Sequence, residues 1–272
     1  MTAHFVVNCS TLFTDLPVLR RPQAARDAGF EAIEFWWPFA DAVPGDTEVD
    51  AFVRAVSDAG VTLTALNFAG GDMAAGERGL VSDPRQRNVF RDNVDTAIGI
   101  AERLGTTAFN ALYGNRLDGV DPRQHDEVAV ENLAYAGRVA ERVGAAVLVE
   151  PLSGVAAYPL RTAADVIAVI DRVRDAEAVT TLRLLADLYH LHVNGDDLGT
   201  VIDNYIHRIG HVQIADAPGR GEPGSGNIDF AGHLAHLKNR GYRGNVSLEY
   251  FATGPDPFAW LPPSRRGASP WS

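Results

Sequence analysis

Short apolar runs alternate with longer stretches of helical periodicity from one end of the chain to the other. The runs fall at 4–8 (HFVVN), 31–35 (EAIEF), 62–67 (TLTALN), 107–112 (TAFNAL), 145–150 (AAVLVE), 182–187 (LRLLAD), 209–214 (IGHVQI) and 245–249 (NVSLE). Each is hydrophobic nearly throughout, as strands covered on both faces are. Between them, segments such as 49–60, 88–105 and 128–144 repeat apolar positions every three to four residues, and several end in glycine, which stops a helix by adopting the left-handed conformation. The joins RDAGFEAIEF, SDAGVTLTAL, AERLGTTAFN and ERVGAAVLVE repeat one design: helix end, glycine, strand. About eight βα units are predicted, hence an α/β fold closed as a (β/α)8 or TIM barrel. No Ser-rich, Pro-rich or charge-block linker divides the chain, so one barrel domain is expected over 1–260. The segment 261–272 (LPPSRRGASPWS) reads as an irregular tail, suited to packing against a second subunit of a homo-oligomer.

Composition narrows the function. With 46% hydrophobic and 22% charged residues, and no apolar run near the roughly 18 residues of a membrane span, the chain reads as soluble. Its start, MTAHFVVNCSTLF, lacks the pattern of a secretory signal, so a cytoplasmic location is expected. Cys9 is the single cysteine, which excludes an intrachain disulfide and a thiolate-rich metal centre. Within an apolar first strand it reads as a small core residue rather than a nucleophile. The net charge of −11 opposes binding to a phosphate backbone and points to a small-molecule partner.

Candidate chemistry lies at the strand ends, because a parallel barrel builds its active site where strands deliver their C-terminal residues. The last four predicted strands finish with Glu150, Asp187, Gln213 and Glu249, one βα unit apart. Taken singly, each reads as a residue that caps a loop or a helix. Together, three carboxylates at one mouth would repel and resist ionising, and a divalent cation would relieve that. Oxygen ligands are hard, favouring Mg²⁺ or Mn²⁺, with Co²⁺ or Zn²⁺ as substitutes.

At these residues the chain resembles the hydroxypyruvate isomerase family, within the xylose isomerase-like barrels that also include ketose 3-epimerases and endonuclease IV. The resemblance runs through NCSTLF (8–13), IEFWWPF (33–39), AAGERGL (74–80), VENLAYA (130–136), VEPLS (149–153), DLYH (187–190), GHVQIADAPGRGEPGSG (210–226) and LEY (248–250). It implies that Glu150, Asp187, Gln213 and Glu249 hold the metal and that Glu150 and Glu249 also transfer protons. His190 and Arg220 would contact substrate. The implied reaction converts hydroxypyruvate to tartronate semialdehyde (2-hydroxy-3-oxopropanoate) through an enediolate, with the metal stabilising the developing charge. In one respect the chain departs from the family: after Glu150-Pro151 it reads SGVAAYPL (153–160), where an Asn and a polar stretch before Pro-Gly are expected. That departure bears on the substrate.

Other positions read two ways. The fork of Arg220 in a glycine-rich loop suits a substrate carboxylate or a mobile surface loop. Glu77 and Arg78 form either a lid over the anionic substrate or a surface ion pair. Asn8, Asn67 and Asn110 line the pocket or satisfy loop backbone groups, and the run Phe35-Trp36-Trp37-Pro38-Phe39 is a substrate wall or core packing. Competing functions are a ketose 3-epimerase, where His would usually stand at position 213, a 2-oxo-tetronate isomerase, and a non-catalytic sugar-acid-binding barrel. An abasic-site endonuclease would need a histidine cluster and a basic surface that the sequence lacks.

Overall fold

Apolar strands and amphipathic helices of this order can bury all their hydrophobic faces only by wrapping the helices around the sheet. In the computed structural model, which describes residues 3–272, they do so. Strands β1 (Phe5–Asn8), β2 (Ala32–Phe35), β3 (Thr62–Asn67), β4 (Ala108–Asn110), β5 (Ala146–Val149), β6 (Leu182–Asp187), β7 (Ile209–Ile214) and β8 (Val246–Leu248) form one closed, all-parallel barrel in sequence order. The pairing Phe5↔Val246 closes it. The chain is a (β/α)8 TIM barrel, as the hydrophobic pattern predicts.

Around it lie α1 (Arg21–Asp27), α2 (Asp46–Ala59), α3 (Arg87–Leu104), α4 (Pro122–Arg142), α5 (Ala163–Glu177), α6 (Leu188–Asn194), α7 (Leu198–Tyr205), α8 (Phe230–Asn239) and α9 (Pro263–Arg266). Gly60 and Gly105 end α2 and α3 in the left-handed conformation, at φ +65° and +73°. Helix α4 starts ahead of the 128–144 periodicity because Asp121 caps it, accepting from the Arg123 N–H at 2.8 Å, and Pro122 suits its first turn. One register shift lies between Ile33 and Glu34 and another between Leu184 and Leu185. Such irregularities re-aim side chains, here beside two strand ends that carry acids.

The tail contains the single turn of α9 and packs on this chain's own barrel. Trp271 is buried, meets Tyr242 edge-on and donates to the Gly244 carbonyl at 2.8 Å, while Arg266 donates to the Ala28 carbonyl at 3.1 Å. Among the described residues, no helix is long and apolar enough to cross a membrane.

Candidate active site

The strand ends do converge. Glu150 stands one residue past β5, buried, with Oε2 accepting from Asn110 Nδ2 at 2.7 Å. Its backbone carbonyl accepts from the Tyr158 hydroxyl at 2.9 Å, and that hydroxyl accepts from the Tyr113 N–H at 3.0 Å. Asp187 ends β6 and caps α6: Oδ1 accepts from the N–H groups of Tyr189 and His190, at 2.8 and 3.3 Å, which leaves Oδ2 buried without a partner. That Oδ2 lacks a hydrogen bond but has ionisable neighbours: in the first turn of α6, His190 Nε2 lies 3.6 Å from it and 4.0 Å from Glu150 Oε1. Ligand atoms of Glu150, Asp187 and His190 all fall within 4.8 Å of one another and could hold a metal ion. His190 Nδ1, however, accepts from the Ser153 N–H at 3.0 Å. In the neutral ring the proton therefore sits on Nε2, so toward the site His190 is a donor.

On the other side, Glu249 follows β8 and is buried. Its Oε1 accepts from Asn8 Nδ2 at 3.0 Å and from the Trp36 indole N–H; its Oε2 pairs with Arg220 at 2.7 Å. Arg220 also reaches to 3.5 Å from Asp187 Oδ2, and its guanidinium lies near the rings of Tyr189 and Phe251. It adopts φ +58°, a left-handed conformation uncommon for a residue with a side chain. The loop holds it there through Asp216, whose buried carboxylate accepts from the N–H groups of Ala217, Gly224, Gly226 and Ile228 at 2.8 to 3.0 Å. Burial opposes ionisation of Asp216, yet these four donors hold its carboxyl below the usual range.

The mouth is electrostatically unbalanced. Burial, then the charges of Glu249 and Asp187, push the Glu150 carboxyl well above the ordinary carboxylate range. Burial pushes Glu249 up to about 8, with Asp187 and Glu34 adding to the rise and Arg220 pulling against it. His190 is lowered to about 4, by burial first, so it is neutral at physiological pH. Two carboxyls biased toward their protonated forms beside a fixed cation are suited to moving protons.

Sequence reasoning missed the partners beneath these ends. Glu34, in β2, is buried among His211 Nε2 (2.7 Å from Oε2), Gln213 Nε2 (2.8 Å from Oε1) and Asn8 Nδ2 (2.9 Å from Oε1). Burial opposes its charge, but the charge and hydrogen bond of His211 outweigh that and hold Glu34 below its ordinary value. Gln213 shares this cluster; its Oε1 is buried without a partner, and in register it stands beside Asp187 across β6 and β7. No local signal marks Glu34, because an acid in IEF looks like any strand residue until β7 is laid beside it.

Above the strand ends lies a cavity of about 370 Å³, lined by Glu150, His190, Arg220, Glu249, Arg78 and Trp36, among others. Ser153 and Val155, from the departing segment, also line it. A second cavity of about 350 Å³ adjoins at Trp36, Asn67, Met73 and Leu112, and its wall includes Trp37, Phe39 and Phe68. Arg78 donates to the Met73 and Glu77 carbonyls. Glu77 is turned away, accepting from the Asp72 N–H at 2.7 Å within its own loop. The two do not form the ion pair, and Arg78 lines the cavity while Glu77 bonds within its loop. Asn8 bridges Glu34 and Glu249 from inside the barrel and is absent from the cavity wall. Cys9 is buried, and burial pushes its thiol far up, as suits a core residue.

Residues 22–268 match the family model described as xylose isomerase-like TIM barrel. A putative hydroxypyruvate isomerase of Streptomyces coelicolor is 50% identical, over 97% of this chain and 97% of that protein. The hydroxypyruvate isomerase of Escherichia coli is 32% identical, over 90% and 92%. Among solved structures, one titled AP endonuclease, family 2, from Brucella melitensis is 32% identical with a TM-score of 0.86, covering 97% of this chain and 100% of that one. With the barrel closed, the strand-end acids gathered and these relatives matched along nearly their full lengths, the chain belongs to the xylose isomerase-like TIM barrel family, in the group of the hydroxypyruvate isomerases.

Proposed function

We propose that this protein is a divalent-metal-dependent isomerase interconverting hydroxypyruvate and tartronate semialdehyde. The observation that carries the reading is the pair of buried glutamates, Glu150 and Glu249, both biased toward protonation, together with two buried oxygens that accept no hydrogen bond, Asp187 Oδ2 and Gln213 Oε1. Orphaned buried oxygens are costly, and an oxygen-seeking cation is the group that fits them. Glu150, Asp187, Gln213 and Glu249 would hold Mg²⁺ or Mn²⁺, which when bound supplies Lewis-acid stabilisation of negative charge on the substrate's oxygens.

The side chains do the rest. The guanidinium of Arg220, a residue of the cavity wall, suits the substrate carboxylate, and His190 donates from Nε2 to a substrate oxygen. One glutamate takes the proton from the hydroxymethyl carbon and the other returns a proton at the neighbouring carbon, passing through an enediolate in which the hydroxyl proton moves to the former carbonyl oxygen, so that the carbonyl changes places. The relatives named hydroxypyruvate isomerase support this substrate. An endonuclease is disfavoured by the net charge of −11 and by the single candidate metal group among the described residues.

Solvent deuterium uptake tests the reading, with hydroxypyruvate, 2-oxo-tetronates and ketoses as substrates, with Mg²⁺ or Mn²⁺ and after chelation. Metal-dependent exchange into hydroxypyruvate is expected. Exchange indifferent to chelator would sink the metal role, exchange only into ketoses would turn the assignment to a 3-epimerase, and binding without exchange would leave a sugar-acid-binding barrel.

A further inference from the structure

We infer that Glu34 is a positioning residue for the metal site: it sets the direction of the Gln213 amide, so that Gln213 presents oxygen rather than NH₂ to the cation. The inference rests on the metal reading above. An amide's two ends are alike in shape, so its orientation must come from partners whose roles are beyond doubt. Here the chain of roles starts at a backbone group. The Ser10 N–H can only donate, and it donates to Asn8 Oδ1 at 2.9 Å. Asn8 therefore turns its NH₂ toward Glu34 Oε1 and Glu249 Oε1, at 2.9 and 3.0 Å. Glu34 Oε1 is thereby an acceptor. The Gln213 group 2.8 Å from that same oxygen must be its NH₂, which leaves Gln213 Oε1 at the opposite end.

That opposite end is the buried oxygen without a hydrogen-bond partner, in register beside Asp187, whose Oδ2 likewise accepts no hydrogen bond. Without an acceptor at position 34, a Gln213 flip would present two N–H groups to the cation, where no lone pair is available. A histidine ligand is oriented by the partner of its other ring nitrogen. Gln213 needs the same service, and Glu34 supplies it from across the barrel. A glutamine at 34 would keep an oxygen for Asn8 and Gln213 while losing the charge.

Mn²⁺ titration of the metal-free protein by calorimetry tests this. Glu34→Leu, which removes the acceptor at similar size, should weaken Mn²⁺ binding about 10- to 100-fold, as loss of a ligand's orienting partner does. Glu34→Gln should stay within about 3-fold of wild type, on the same scale. In a Gln213→Ala background, Glu34→Leu should add little. Equal losses in Glu34→Gln and Glu34→Leu, or additive losses in the double variant, would overturn the inference. If Glu34→Leu does not fold, the side-chain NH₂ of Gln213 in the wild type decides: identified in NMR spectra by its disappearance in Gln213→Ala, it should be protected from solvent exchange, and rapid exchange overturns the inference. Wild-type protein that takes up no Mn²⁺ would overturn the metal reading and this inference together. Tight wild-type binding with an unweakened Glu34→Leu would overturn this inference alone.

Discussion

Glu34 and Glu249 are both glutamates, both buried and both bonded to Asn8, yet their environments act on them in opposite directions. Glu34 has His211, Gln213 and Asn8 around it and is held below its ordinary value. Glu249 faces Asp187 as well as Arg220 and is pushed up to about 8. Burial penalises the charge at each, so the difference lies in what surrounds it: donors inside the barrel, competing acids at the mouth. The same residue type is a fixed acceptor in one place and, in the mechanism we propose, a proton carrier in the other.

The largest effect that could break this contrast is kinetic. Glu150→Gln and Glu249→Gln should each lower deuterium exchange by about 10²- to 10⁴-fold, the usual weight of a general acid or base, with circular dichroism unchanged. Near-normal turnover in either would remove the two-carboxylate mechanism.

Stability sharpens the contrast next, because the two shifts have opposite signs in pH. With a folded value near 8 against 4.5 when unfolded, Glu249 makes the folded, metal-free chain bind more protons in that window. Stability should thus fall as pH rises through it, and Glu249→Gln should flatten the decline. For Glu34, whose value is lowered, the contribution is present at neutral pH and is lost on acidification below the ordinary glutamate range. In urea melts near pH 8, Glu34→Leu should cost about 3–5 kcal/mol, the cost of breaking a buried pair, while Glu249→Gln should cost little or none. Equal losses would erase the distinction.

The smallest expected effect concerns the loop that brings Arg220 to Glu249. Asp216→Asn exchanges a charged acceptor for a neutral one among four backbone donors, so about 1.5–3 kcal/mol of stability should go. A rise in KM of about 10-fold should accompany it, because a small misplacement of the Arg220 fork that we propose holds the substrate carboxylate is costly. An unchanged KM would show that Arg220 does not depend on this loop for its position.

Much of the molecule was readable from the chain because the signals are local. Strand runs, helix periods and glycine stops each occupy a few neighbouring residues, and in a closed parallel barrel the last residue of each strand must face the mouth. That is why Glu150, Asp187, Gln213 and Glu249 stood out together. The sequence could not show which of them would be partnered. His190 reaches the Glu150–Asp187 side because Asp187 caps α6, and Arg220 sits between Asp187 and Glu249 because Asp216 folds its loop. Glu77 read as a partner of Arg78, and the folded loop gave its carboxylate to Asp72 instead.

The sequence by itself therefore determined the barrel and the oxygen-rich rim, since both follow from periodicity and from which residue ends each strand. Only the tertiary structure decided how that rim is tuned. Asn8 meets Glu249 from the far end of the chain and Glu34 meets Gln213 across the barrel. Proton affinity and amide direction depend on these contacts between residues remote in sequence, and closure of the sheet is what makes them neighbours.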